Sequence, residues 1–162
     1  MTPFSIHEVS GAPATLIDLT RVRELFLEYA AWLNVDLCFQ GFNEELASLP
    51  GAYARPDGRL LLAMQDEQAA GCIALRRFDA DTGEVKRLWV RPAFRATGLG
   101  RALAERIVSE ARAAGYQRLV LDTLAPMASA IALYRSLGFR EIAPYYDNPL
   151  AGAVYMGLEL AD

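Results

Sequence analysis

Glycine and arginine are concentrated in the segment RATGLGRA, residues 95–102, which follows a strand-like run and opens a helical pattern. Gly98 and Gly100 leave backbone N–H groups accessible at the start of that helix, where the helix dipole adds partial positive charge. Such a helix start binds phosphate. The segment therefore predicts a phosphate-bearing ligand, although a glycine-containing loop with solvated arginines explains the same residues.

The local charge supports an anionic ligand. Between Glu84 and Arg101 five cationic side chains oppose one carboxylate, a net charge of +4 in a chain whose total is −4. The first turn of the predicted helix holds Arg101, and its first acidic residue is Glu105. Because helix N-termini favour acidic side chains, cations at this end indicate that the anion comes from outside the chain.

Two familiar phosphate-binding motifs do not fit the spacing. A dinucleotide-binding GxGxxG that starts at Gly98 needs glycine at position 103, where the chain has Leu103. A P-loop needs a lysine directly after its glycines, and none follows Gly98 or Gly100.

The elements that must position this loop follow from the hydrophobic periodicity. Strands are predicted over residues 4–9, 59–65, 69–78, 84–90, 118–123, 139–142 and 153–160, and helices over residues 15–33, 42–49, 98–114 and 127–137. This order predicts a mixed α/β domain in which the strand–helix–strand portion is parallel. At 162 residues the chain is predicted to form a single domain, residues 1–162.

Composition excludes several classes of protein. Net acidity argues against general nucleic-acid binding, and no apolar run approaches the ~18 residues of a membrane span. Cys38, Cys72 and the single histidine, His7, lack zinc-ligand spacing, so no metal is expected and the cysteines are interpreted as small buried apolar residues. The N-terminal residues lack the features of a signal peptide, which favours a cytoplasmic location.

Three motifs in order resemble the GNAT superfamily of acyl-CoA N-acyltransferases. EVKRLWVRP, residues 84–92, resembles the central strand of that family. RATGLGRA is similar to its R/Q-x-x-G-x-G/A pyrophosphate loop, and AIALYRSLGF, residues 130–139, is similar to its A-x-x-L-Y-x-x-x-G-F helix. The resemblance implies the GNAT fold, an α/β architecture with a mixed six- to seven-stranded central sheet flanked by about four helices.

The resemblance also implies how acetyl-CoA binds. The pantetheine arm lies along main-chain groups of Leu88, Trp89 and Val90, in a gap that a bulge opens beside the central strand. The pyrophosphate is held by the loop residues Arg95, Ala96, Thr97, Gly98, Leu99, Gly100, Arg101 and Ala102. Family members often have asparagine where this chain has Met127, and Ser129 is the replacement for that contact.

The catalytic roles are likewise implied by the resemblance. Tyr134 matches the tyrosine that protonates the departing CoA thiolate, although a core aromatic residue fits the same position. Glu84 is the candidate general base for an ammonium acceptor, with Asp122 on the next strand as an alternative. An ion pair of Glu84 with Lys86 or Arg87 explains that residue equally well.

The acceptor region of the family corresponds to aromatic and acidic residues that suit a cationic amine. These residues are Tyr29, Trp32, Asp36, Phe39, Phe42, Tyr145, Tyr146 and Asp147, and several of them fit a hydrophobic core as well. The leading hypothesis is an N-acetyltransferase that moves the acetyl group directly to a primary amine of a small molecule or protein. A non-catalytic acyl-CoA-binding module and a nucleotide-binding protein are the alternatives, and the chain is expected to be a monomer or a homodimer.

Overall fold

A computed structural model describes residues 3–10, 16–34, 37 and 41–160 of the chain. Within these residues four α-helices are present, α1 (Leu16–Leu33), α2 (Phe42–Ser48), α3 (Leu99–Ala113) and α4 (Ala128–Ser136). The strands are β1 (Phe4–Glu8), β2 (Arg59–Gln65), β3 (Gln68–Arg77), β4 (Thr82–Val90), β5 (Arg118–Leu124), β6 (Arg140–Glu141) and β7 (Ala153–Glu159). The predicted mixed sheet with flanking helices is confirmed.

The strands form one sheet in the order β1-β2-β3-β4-β5-β7-β6. All neighbouring pairs are antiparallel except β4 and β5, which are parallel and are joined through α3. The parallel strand–helix–strand portion predicted from the sequence is therefore confirmed. Strand β7 pairs with β5 on one side and with β6 on the other, within this sheet.

Two hydrophobic cores cover the two faces of the sheet. On one face, Leu103 and Ile107 of α3 pack with Tyr134 of α4 against the central strands. On the other face, Phe26 of α1 and Phe42 of α2 pack against the opposite side of β2 and β3. The sheet is thus held between two helical layers, and the central strands are buried on both faces.

A bulge in β4 separates it from β5. The register between β3 and β4 shifts between Cys72 and Ala74, and Arg87 takes a left-handed conformation with φ of +64°. Parallel pairing is confined to Thr82–Glu84, which lie opposite Arg118–Val120. Beyond Glu84 the backbone edge of β4 that faces β5 has no strand partner, so the gap implied by the resemblance is confirmed.

Buried contacts hold the bulge in place. The Arg87 guanidinium donates two hydrogen bonds to Glu45 of α2, with N–O distances of 2.9 and 3.0 Å. The same guanidinium lies 5.2 Å from the ring centre of Phe42 and 5.8 Å from that of Tyr29. A left-handed non-glycine residue costs about 1–2 kcal/mol, and this anchorage to α1 and α2 offsets that cost.

Most element boundaries agree with the predicted ones to within two residues. Strand β4 begins two residues earlier than predicted, at Thr82, and β6 has two residues, Arg140 and Glu141, instead of the predicted four. No helix in the described ranges is long and apolar enough to cross a membrane.

Candidate active site

The gap between β4 and β5 continues into an outer cleft of about 400 Å³. This outer cleft is lined by Trp32, Leu133 and residues 88–90, 94–96, 98–100 and 126–130. Its walls are the end of β4, the loop into α3 and the start of α4. Most residues predicted to bind the CoA donor are brought together here, including Ser129, whereas Thr97, Arg101 and Ala102 do not line the cleft.

The floor of the outer cleft is the start of α3. Gly98 caps the helix in a left-handed conformation with φ of +86°, and a Cβ added there would point into open space. A Cβ at Gly100 would lie 3.8 Å from Val90 and from Leu133, across the cleft. The first backbone N–H groups of a helix have no intrahelical partner, and no acidic residue occupies the first turn of α3. The start of α3 therefore leaves backbone donors that could accommodate an anion, and the phosphate site itself stays a prediction.

The two arginines of the loop form local contacts. Arg95 donates to the Val90 carbonyl at 2.9 Å, and its guanidinium lies 4.9 Å from the ring centre of Trp89. Arg101 donates to Ser136 of α4 at 2.7 Å. Both side chains are exposed, and of the two Arg95 lines the outer cleft.

The other cationic side chains between Glu84 and Arg101 do not face the predicted phosphate site. Arg87 is paired with Glu45, and Arg91 with Glu28 at 2.7 Å. Lys86 faces the interior instead of the loop. The local charge of +4 is therefore not concentrated at the predicted phosphate site, because alternating strand positions send the side chains in different directions.

An inner cavity lies behind the outer cleft, on the side of α1. It is lined by Tyr29, Leu33, Leu37, Met127, Ala130, Tyr134, Asn148, Leu150 and residues 85–88 and 121–124. Leu88, Met127 and Ala130 line both spaces. A group that extends from the outer cleft between β4 and β5 therefore enters the inner cavity at these three residues.

Tyr134 is placed in the inner cavity by α4, four residues after Ala130. Its side chain is 5% exposed and lines the inner cavity, and its ring packs edge-on against Phe139 at 5.2 Å. Burial raises the pKa of Tyr134, and the neighbouring Tyr29 adds to the shift. The phenol is therefore protonated at neutral pH and can act as a proton donor. The core position predicted as the alternative is confirmed, since the ring belongs to the hydrophobic core. The side chain also lines the inner cavity, and its role as an acid stays a prediction.

Glu84 is buried beside the gap with both carboxylate oxygens occupied. Oε1 accepts from Arg76 at 2.8 Å, and Oε2 accepts from the Tyr145 hydroxyl at 2.7 Å. Burial by itself raises the pKa of Glu84, but Lys86, Arg76 and these hydrogen bonds outweigh it and hold that pKa below its usual value. Glu84 is 1% exposed. Its role as a base stays a prediction, and its ion-pair partner is Arg76, its cross-strand neighbour.

The predicted acceptor residues fall into three groups. Tyr29 lines the inner cavity, whereas Trp32 lines the outer cleft and packs 5.7 Å from the Trp89 ring. Tyr145 and Tyr146 lie on the loop before β7 and bind Glu84 and Asp122. Phe42 is buried under Arg87. Asp36 and Phe39 lie outside the described residues, as does Cys38.

Sequence reasoning missed two polar residues of the inner cavity, Lys86 and Asn148. Lys86 is 7% exposed, and burial lowers its pKa to about 8 against the opposing effect of Glu84. Asn148 donates to Asp122 at 2.9 Å. Lys86 lies two residues after Glu84 on the same predicted strand, so both side chains are expected on one face of the sheet. The loop that carries Asn148 has no periodicity from which to predict the direction of its side chain.

Comparison with known proteins identifies relatives of this architecture. The sequence model of the acetyltransferase (GNAT) family matches residues 20–139. An uncharacterised N-acetyltransferase of Schizosaccharomyces pombe is 39% identical over 89% of this chain and 90% of its own length.

Two solved structures show the same fold. An acetyltransferase from Streptococcus agalactiae aligns with a TM-score of 0.76 and 26% identity, over 97% of this chain and 98% of that one. An acetyltransferase from Salmonella typhimurium, solved with its cofactor acetyl-CoA, aligns with a TM-score of 0.68 and 24% identity over 98% and 95% of the two chains.

Proposed function

Because the chain belongs to the acetyltransferase (GNAT) family, we propose that it transfers the acetyl group of acetyl-CoA directly to a primary amine of a small molecule or protein. The observation that carries this proposal is the separation of β4 from β5 beyond Glu84. It joins the backbone donors at the start of α3, the proposed anion cradle, at one end to a cavity with a buried tyrosine at the other. The Salmonella protein of the same fold, which holds acetyl-CoA, supports the choice of donor.

The residues of the outer cleft fit acetyl-CoA. The Gly98 turn and the first N–H groups of α3 would hold the pyrophosphate, with Arg95 and Arg101 as charged partners at the rim. The unpaired edge of β4, at Leu88, Trp89 and Val90, offers main-chain groups to the amide-containing pantetheine arm in the manner of an added strand. When bound, acetyl-CoA supplies an activated thioester.

Two groups of the chain would serve the transfer itself. A backbone N–H near Val90 would face the thioester carbonyl and stabilise negative charge on its oxygen. Tyr134, whose raised pKa keeps its hydroxyl protonated, would donate a proton to the departing sulfur. The described thiol, Cys72, is fully buried and donates to the Arg87 carbonyl, so it is no acyl carrier. The proposed transfer is direct, in a complex that holds donor and acceptor together.

The test is acetyl-CoA-dependent release of thiol with a panel of amines that includes polyamines, amino acids, arylalkylamines and peptides with a free N-terminus. We expect turnover with at least one class and stabilisation of the protein by acetyl-CoA in thermal unfolding. Stabilisation by acetyl-CoA without turnover of any amine supports a non-catalytic binding module. Stabilisation by NAD or ATP but not by acetyl-CoA contradicts the donor assignment.

A further inference from the structure

Asp122 occupies a position in the inner cavity that the donor does not need. It lies on β5 opposite Tyr155 of β7, two residues beyond the last position at which β5 pairs with β4. Its side chain is half-buried and shares the cavity with Lys86 and Tyr134. An acceptor that meets the acetyl group beside Tyr134 therefore comes close to this carboxylate.

The two oxygens of Asp122 have different surroundings. Oδ2 accepts from the Tyr146 hydroxyl at 2.5 Å and from the Asn148 amide at 2.9 Å. Asn148 also donates to the Tyr146 hydroxyl at 3.1 Å, and the Tyr146 carbonyl accepts from the Tyr155 hydroxyl at 3.0 Å. Within the described residues no donor contacts Oδ1. One oxygen fixes the orientation of the carboxylate and the other is left for a ligand.

Glu84 offers no such oxygen. Arg76 occupies its Oε1 and Tyr145 its Oε2, and it does not line the inner cavity. Glu45, the carboxylate nearest the bulge, is likewise bound through both oxygens by Arg87. Of these three carboxylates, Asp122 is the one that lines the inner cavity and has an oxygen without a donor among the described residues.

We propose that Asp122 is the general base of the transfer, with Oδ1 taking the proton of the acceptor ammonium; this role rests on the proposed acetyl transfer. The neutral nitrogen then forms a bond to the acetyl carbon as the C–S bond breaks. Tyr134 protonates the sulfur, and the second proton of the nitrogen returns to the Tyr134 oxygen, so that only the proton taken up by Asp122 is released to solvent. The products are an N-acetyl amine and free thiol, with one proton released overall. Tyr146 and Asn148 are positioning residues.

Several charged or titratable groups face Asp122 from the elements packed around it. They are Glu84 and Lys86 on β4, Tyr29 on α1, Tyr145 and Tyr146 on the preceding loop and Tyr155 on β7. Lys86 is the cation of this set that lines the inner cavity with Asp122.

A matched pair of amines tests the role. Ethylamine is an ammonium at neutral pH and needs a base, whereas trifluoroethylamine is already a neutral nucleophile there. For Asp122→Asn we expect kcat/KM with ethylamine to fall roughly a hundredfold and kcat/KM with trifluoroethylamine to stay within about threefold. With ethylamine, kcat/KM of the variant rises about tenfold per pH unit above neutrality, because only free amine reacts. The wild-type profile is flatter.

The control variants are Glu84→Gln and Tyr146→Phe. Glu84→Gln is expected to lower kcat/KM for both amines equally, and Tyr146→Phe to lower the ethylamine rate several-fold with a smaller effect on trifluoroethylamine. A cooperative thermal unfolding transition and unchanged stabilisation by acetyl-CoA show that each variant is folded and loaded. Equal losses with both amines in Asp122→Asn, or the amine-selective loss in Glu84→Gln, overturn the assignment. A wild-type enzyme that acetylates neither these amines nor the panel overturns the proposed function itself and the base with it.

Discussion

At the scale of the residue, the proposed role of Tyr134 can be tested by a single substitution. Its side chain lines the inner cavity, and burial keeps its hydroxyl protonated. Removal of the hydroxyl leaves a phenyl ring that still packs against Phe139. The fold and the donor site therefore do not depend on the atom that the proposed mechanism uses.

Tyr134→Phe is expected to lower kcat roughly a hundredfold, with the affinity for acetyl-CoA unchanged. The expectation follows because the proton for the leaving thiolate is lost while the outer cleft keeps its lining. Steady-state kinetics and an acetyl-CoA titration measure both quantities. Tyr116→Phe is the control, since that buried hydroxyl donates to the Asp57 carbonyl away from the cleft. Equal activity of the Tyr134→Phe and wild-type proteins contradicts the acid role.

At the scale of the element, helix α3 provides a matched pair of glycines. Gly98 before its start has φ of +86°, Gly115 after its end has φ of +92°, and a Cβ at either would meet open space. Alanine at each position is expected to cost about 1 kcal/mol of stability for the left-handed conformation. Gly98→Ala alone is expected to weaken acetyl-CoA binding, by roughly tenfold or more, because its Cβ enters the anion cradle. Chemical denaturation and calorimetric titration measure the two effects, and equal affinities in both variants contradict the cradle.

The end of β1 predicts a pH dependence of stability. A hydrogen bond from Arg55, opposed by burial and aided by Ser10, lowers the pKa of Glu8 from 4.5 to about 2. A depressed carboxyl pKa stabilises the fold above about pH 4.5, and that contribution is lost as pH falls toward 2. Glu8→Gln is therefore expected to lower the free energy of unfolding near neutral pH, by at most about 1 kcal/mol for so exposed a pair, and to have little effect near pH 2. Urea denaturation at both pH values measures the difference, with Glu141→Gln on the exposed strand β6 as the control.

Much of the element pattern could be predicted from the sequence. Alternating and helical periodicities gave the central strands and helices, since buried faces impose those periods. The left-handed Arg87 could not be predicted, because a bulge depends on the registers of β3 and β4 and not on local residue type. The pairing of Glu84 with Arg76 has the same origin. The gap beside β4 was predicted from the family resemblance. The surroundings of the two Asp122 oxygens could not be predicted, because they depend on the conformation of the loop before β7.

At the scale of the whole molecule, the proposed donor and acceptor sites adjoin at Leu88, Met127 and Ala130. The outer cleft opens beside α3 and α4, and the inner cavity lies toward α1. Direct transfer across this junction predicts intersecting lines when initial rates are plotted against acetyl-CoA at several amine concentrations. Parallel lines indicate an acyl-enzyme and contradict a ternary complex.

The most direct measurement of the central claim is a crystal structure of the protein with acetyl-CoA. We expect the pyrophosphate at Gly98, the pantetheine arm along Leu88–Val90 in the gap beside β4, and the thioester sulfur within about 3.5 Å of the Tyr134 hydroxyl. Acetyl-CoA bound elsewhere, or a gap between β4 and β5 that stays empty with the cofactor bound, contradicts the account.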